Sequence, residues 1–179
     1  MSYDSNRRTV LKAIGAGTAA LVGGAGVVSA SPGGRGPPSK GDTIVDIAVN
    51  AEGFDVLVAA VKEADLVETL SGNRQLTVFA PTDGAFDNLG VTADNVGDID
   101  FEKEVGATLP EILTYHVTPG RRNAKSVTTS DELPTLNGAK IDVGGPNGTV
   151  LNEGQATIID TDIPASNGII HVIDGVLLP

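Results

Sequence analysis

The chain has neither cysteine nor tryptophan among its 179 residues. That alone excludes a disulfide, a thiolate nucleophile and a cysteine zinc site. Aromatic rings are nearly as scarce, being confined to Tyr3, Tyr115, Phe54, Phe79, Phe86 and Phe101. Positive charge is short as well, with 12 Lys and Arg against 23 Asp and Glu, a formal net charge of −11. Such a surface repels phosphate backbones and anionic membranes, so nucleic acid is not an expected partner. An acid excess of this size suits concentrated salt, where screening over about 3 Å at 1 M removes the self-repulsion. The expectation is therefore a halophilic, haloarchaeal-type source. Hydrophobic residues still make up 40% of the chain, alongside 23 Gly and 10 Pro. That is enough apolar side chain for one core with many turns, and the length is that of one domain with appendages.

The N-terminal segment has the order of an export address. Asn6-Arg7-Arg8-Thr9-Val10-Leu11-Lys12 precedes an uncharged stretch from Ala13 to Val28, and Val28-Ser29-Ala30 supplies small residues for cleavage. This order reads as a twin-arginine signal peptide over residues 1–30. The uncharged stretch is shorter than the roughly 20 residues that span a bilayer, so no membrane span is expected in the mature chain. Gly15-Ala16-Gly17-Thr18-Ala19-Ala20 fits a dinucleotide-binding pattern in letters only, because no strand leads into it. Residues 31–41 hold three Pro and four Gly, which can neither build a helix nor bury a face. They read as a linker.

From residue 42 to 179 the pattern is that of a folded domain. Asp42 is placed to cap a first helix through Asn50, and Phe54, Leu57, Val58, Val61 and Leu66 continue a helical period that closes at Gly72. Leu76–Ala80 reads as a strand, Thr82-Asp83 as the start of a turn of helix, and Pro110–Tyr115 as a further helix. From Leu133 onward the period becomes two, with Asn137-Gly138 and Asn147-Gly148 as turns. Helices first and strands later argue for an α+β fold. At the Pro81-Thr82-Asp83 corner, between Phe79 and Phe86, a Thr or Asp side chain is placed to accept from the next helical turn. His171 shares a strand face with Ile169 and Ile173, which reads as a hydrogen-bonded core histidine.

Three stretches together resemble the fasciclin-like domain family. They are Thr77-Val78-Phe79-Ala80-Pro81-Thr82-Asp83-Gly84-Ala85-Phe86, Leu113-Thr114-Tyr115-His116-Val117, and Asp162 to Asp174 with Leu177-Leu178-Pro179. They occur in the family's order, and the similarity runs from about Thr43 to Pro179. The resemblance implies a wedge-shaped β-sandwich with helices packed around it, in a secreted or surface-attached adhesion protein. It also implies that Asp162 and Ile163, with Tyr115 and His116, contribute to recognition. Tyr115 and His116 fit equally the packing of a helix-to-strand junction.

Catalysis is short of residues. His116 and His171 are the only histidines, and no nucleophile elbow, zinc helix or phosphate loop occurs. The acids of Asp98-Ile99-Asp100-Phe101-Glu102 and of Asp160-Thr161-Asp162 alternate as calcium ligands do, without the glycine and distant glutamate of a calcium loop. No metal or cofactor is expected. Asn147-Gly148-Thr149 is the sole glycosylation acceptor and coincides with a turn, so both readings stay open. The functional expectation is a noncatalytic adhesion module that binds a cell-surface or extracellular-matrix protein or glycan. The alternative is an extracytoplasmic carbohydrate- or small-ligand-binding protein, which the scarcity of aromatic rings weakens.

Overall fold

The computed structural model describes residues 41–179. The export signal and all but the last residue of the linker lie outside the described residues. Helix α1 (Ile44–Asn50) starts from Thr43, not Asp42. Thr43 Oγ1 accepts from the Asp46 N–H at 3.2 Å while Asp46 Oδ2 accepts from the Thr43 N–H at 2.9 Å, so two free donors are satisfied reciprocally. The next helical run divides into α2 (Asp55–Glu63) and α3 (Val67–Ser71). Asp65 takes a left-handed φ of 54°, and the Asp65 and Leu66 N–H groups return to Lys62 O and Val61 O. This is a helix stop that glycine usually supplies, here made by aspartate.

Strand β1 (Leu76–Pro81) leads into α4 (Asp83–Asp87), followed by α5 (Phe101–Val105) and α6 (Leu109–Tyr115). The β1–α4 corner corrects one expectation. Thr82 makes no side-chain cap, and Asp83 Oδ1 accepts from the Val56 N–H at 2.9 Å, so it caps α2 instead of its own helix. Phe54 at the start of α2 offers no cap of its own, and the Asp83 N–H donates to Gly53 O, which joins the two segments twice.

After α6 come β2 (Val117–Pro119), α7 (Ala124–Thr128), β3 (Glu132–Pro134), β4 (Lys140–Gly144), β5 (Val150–Leu151), β6 (Ala156–Ala165) and β7 (Gly168–Ile173). The sheet order is β2-β1-β7-β6-β5-β4-β3. The first and last long strands lie together at its centre: β1 and β7 are parallel, from Leu76 against Gly168 to Pro81 against Ile173. All other pairs are antiparallel. Both central strands are buried along their whole length, as strands covered on two faces must be. The sheet curls until its edges meet, for the Leu136 N–H just beyond β3 donates to Val117 O of β2 at 2.8 Å.

Alternation along β1 divides the interior in two. Leu76, Val78 and Ala80 face a core shared with α1, α2, α3 and α6. Phe79 faces the other way, into a core with Ile173, Ile158, Leu151, Ile141, Leu133 and Val127 that the curled half of the sheet encloses. The result is the expected α+β single domain, with strands closing over one core and helices covering the other.

Candidate functional site: the bulged strand β6

Strand β6 has ten residues and pairs with the six of β7. Partners run Ile158 with Ile173, Asp160 with Val172, and Ile163 with Ile170, so each interval leaves one extra residue in β6. These are two successive bulges, which bend a strand and push its surplus residues outward. Asp160, Thr161 and Asp162 are exposed, Ile159 is 57% exposed, and Ile163 is half-buried against the helical core.

The second bulge sets Thr161 and Asp162 opposite the single residue His171. Asp162 has a left-handed φ of 60°, a costly conformation for a residue with a Cβ. Its backbone N–H donates to His171 Nδ1 at 3.3 Å. With Nδ1 accepting, the ring proton sits on Nε2 and donates to Arg122 O at 2.9 Å. The Asp162 carboxylate accepts from the Ala124 N–H at 2.8 Å, while Asn123 Oδ1 takes the Ser126 N–H at 2.9 Å, so α7 is capped twice. Asp160 Oδ1 in turn holds the Thr161 N–H at 2.8 Å. Burial of the His171 ring pushes its pKa down, opposed by the hydrogen bond to Arg122 O and the Asp162 charge.

Tyr115 and His116 stand elsewhere and inside. Tyr115 is 4% exposed and belongs to the strand-enclosed core; its hydroxyl donates to Lys140 O and accepts from Asn152 Nδ2, both at 2.8 Å. Burial raises its pKa. His116 is 2% exposed; Leu177 N–H donates to its Nε2 at 2.9 Å, so Nδ1 carries the proton and donates to Ile112 O at 2.8 Å. Burial pushes its pKa down to about 4. Both side chains have their polar atoms satisfied within the domain, and a partner at the surface does not reach them. Of the four residues implied in recognition, the structure brings Asp162 and Ile163 together at the surface and uses Tyr115 and His116 to pin α6 to β4 and to the C-terminal segment.

The other acidic segment forms an open groove of about 590 Å³ beside α5, bordered by Leu89, Val91, Asp98, Asp100 and Glu104. Asp100 is spent on capping α5, accepting from the Lys103 N–H at 3.3 Å. Among the described residues every aromatic ring is buried except the half-buried Phe54. Asn147 is exposed at the turn after β4, with φ of 67°.

The bulge's role escaped the sequence reading, because nothing in Asp160-Thr161-Asp162 marks an extra residue. Nor did Arg122 and Ala124 stand out, since they reach the site only through pairing across 49 and 38 positions.

A curled sheet with a central parallel pair and helices over one face defines the class of fold. A solved structure of a FAS1 domain pair from the insect cell adhesion molecule Fasciclin I shares it, with a TM-score of 0.61 and 21% identity over 77% of this chain and 51% of that one. A fasciclin domain family model matches residues 52–179, and the chain belongs to the fasciclin domain family. Protein sll1483 of Synechocystis sp. is 46% identical over 76% of this chain and 73% of that protein. Immunogenic protein MPB70 of Mycobacterium bovis is 34% identical over 77% of this chain and 69% of its own length. Transforming growth factor-beta-induced protein ig-h3 of Sus scrofa is also 34% identical, but this chain spans only 19% of it. No helix among the described residues is long and apolar enough to cross a membrane.

Proposed function

We propose that residues 42–179 act as an exported, noncatalytic adhesion module whose contact element is the β6 bulge, with Asp162 and Ile163 touching a cell-surface or extracellular-matrix protein or glycan. The observation that carries this reading is the bulge itself: a projecting segment with exposed Ile159 and Asp162, held from behind by bonds to two other elements. A contact loop already rigid before binding loses little entropy on binding. The twin-arginine segment supports delivery outside the cytoplasm. The absence of catalysis is supported by the histidines, since both imidazoles are buried with each ring nitrogen bonded inside the domain. Neither is free to take a proton from a substrate.

The test is retention of the mature domain on envelope or matrix fractions of its own source. Asp162→Asn keeps an acceptor for Ala124 and removes the charge; Ile163→Ser and Ile159→Ser remove the apolar contact. At least a tenfold loss of retention is expected of each, with melting unchanged within a few degrees for Asp162→Asn and Ile159→Ser and lowered for Ile163→Ser, which also loses its packing on the helical core. Full retention by all three folded variants would falsify the placement of the site. Binding to a glycan array without protein binding would move the reading to a carbohydrate-binding protein.

A further inference from the structure

We propose that His171 is the positioning residue of the Asp162–Ile163 contact pair: its neutral imidazole accepts the Asp162 N–H and holds the bulge in its left-handed turn, and a second proton on the ring releases the bulge and weakens attachment. The inference rests on the adhesion reading for its functional half only.

The geometry is specific. In an antiparallel pair only alternate residues exchange backbone bonds, and the carbonyls of Asn167 and Ile173 are turned to β1, so His171 presents β6 with its side chain and not with its backbone. Asp162 finds its acceptor in that side chain, at 3.3 Å. The same ring donates to Arg122 O, and the Asp162 carboxylate holds the first N–H of α7. One imidazole therefore joins β7, the bulge of β6 and the segment before α7. Its ring lies against Phe79 of β1, with centroids 5.7 Å apart, and is fully buried. It has no room to turn outward while these contacts hold.

A second proton must go to Nδ1, where it meets the Asp162 N–H donor to donor. The bond that holds Asp162 in its left-handed conformation is then replaced by repulsion. The charged residues on the elements packed against His171 are Asp160 and Asp162 on β6, Arg121 and Arg122 on the segment leading into α7, and Lys125 in α7; β1 contributes the uncharged Phe79 ring. Asp162 favours the proton and burial opposes it more strongly, so the change falls below the ordinary imidazole range.

The experiment is proton–nitrogen NMR of the uniformly ¹⁵N-labelled mature domain from pH 8 downward, with attachment to envelope or matrix fractions measured over the same range. At neutral pH the ring signals of His171 should show the Nε2–H tautomer. On acidification the His171 ring and the Asp162 and Ala124 amides should move together in one step, while attachment falls at least tenfold. His171→Gln, which takes up no proton, should show no pH step in attachment over that interval. Titration of the ring without movement of the two amides overturns the positioning role, and so does an Nδ1–H tautomer. A pH step in attachment that survives unchanged in His171→Gln overturns the link to attachment. If the wild type attaches to nothing, the adhesion reading fails while the amide and tautomer readouts still decide the role of His171, as they do if His171→Gln does not fold.

Discussion

Acidification from pH 7.5 to 5 puts the buried His116 to its sharpest test. In the unfolded chain its imidazole has the ordinary value of 6.5, and in the folded domain burial lowers it to about 4. The native state thus refuses a proton that the unfolded state accepts, so stability is fully present above 6.5 and is lost as pH falls from 6.5 toward 4. At about 1.4 kcal/mol per unit, the whole difference amounts to about 3 kcal/mol, of which about 2 kcal/mol is gone by pH 5. His171, also lowered by burial, adds to the loss in the same direction. Against a typical domain stability of about 5–15 kcal/mol this is a large fraction. Urea unfolding followed by circular dichroism at pH 7.5, 6.5, 5.5 and 5 measures it. With a slope near 2 kcal/mol per molar, the midpoint should fall by about 1 M. Work in 1 M NaCl screens the self-repulsion of the acidic surface, which acid would otherwise relieve. Stopping at pH 5 keeps clear of Asp46 and Glu111, whose capping bonds with Thr43 and Thr108 lower their pKa values and whose protonation costs stability only at more acid pH. His116→Gln should be less stable at pH 7.5 yet show a flatter profile. A wild-type midpoint that does not move between pH 7.5 and 5, or a variant profile parallel to the wild type, would refute the reasoning.

Asp83→Ala removes the side-chain cap that α2 receives from Asp83 and should cost about 1 kcal/mol by urea unfolding, although position 83 lies outside that helix. An effect near zero would show that the Asp83–Val56 bond carries no net stability. Gly168→Ala drives a Cβ into Leu76 O and to 2.8 Å from Ile44 Cδ1, at the first pair of the β7–β1 ladder. The two central strands must separate, and a loss of about 3 kcal/mol is expected, read as a lower thermal midpoint. The acid excess is tested by far-ultraviolet circular dichroism in low-salt buffer: loss of the folded spectrum is expected of a halophilic surface, and its retention counts against such a source.

Much of the domain was legible because its signals are local. The helical period of Ile44 and Ile47, the helix from Pro110 to Tyr115, and the period of two from Leu133 onward need only neighbouring residues to be read. The same holds for His171 as a bonded core residue, since alternation puts it on the face of Ile173. What failed either lacked its usual local signal or was set by partners far along the chain. The helix break at Asp65 carries no glycine to announce it. Asp83 looks like the cap of the helix it precedes and instead serves one that begins 28 residues earlier.

The sequence by itself determined the α+β class, the main helical and strand periods, the acidic surface and the family motifs, because side-chain periodicity follows from backbone geometry alone. Only the tertiary structure decided that Asp162 is exposed, with Ile163 half-buried beside it, while Tyr115 and His116 are sealed inside. That choice depends on strand register and on two bulges in β6, and register is fixed by which strand lies opposite, a contact between residues that no local pattern brings together.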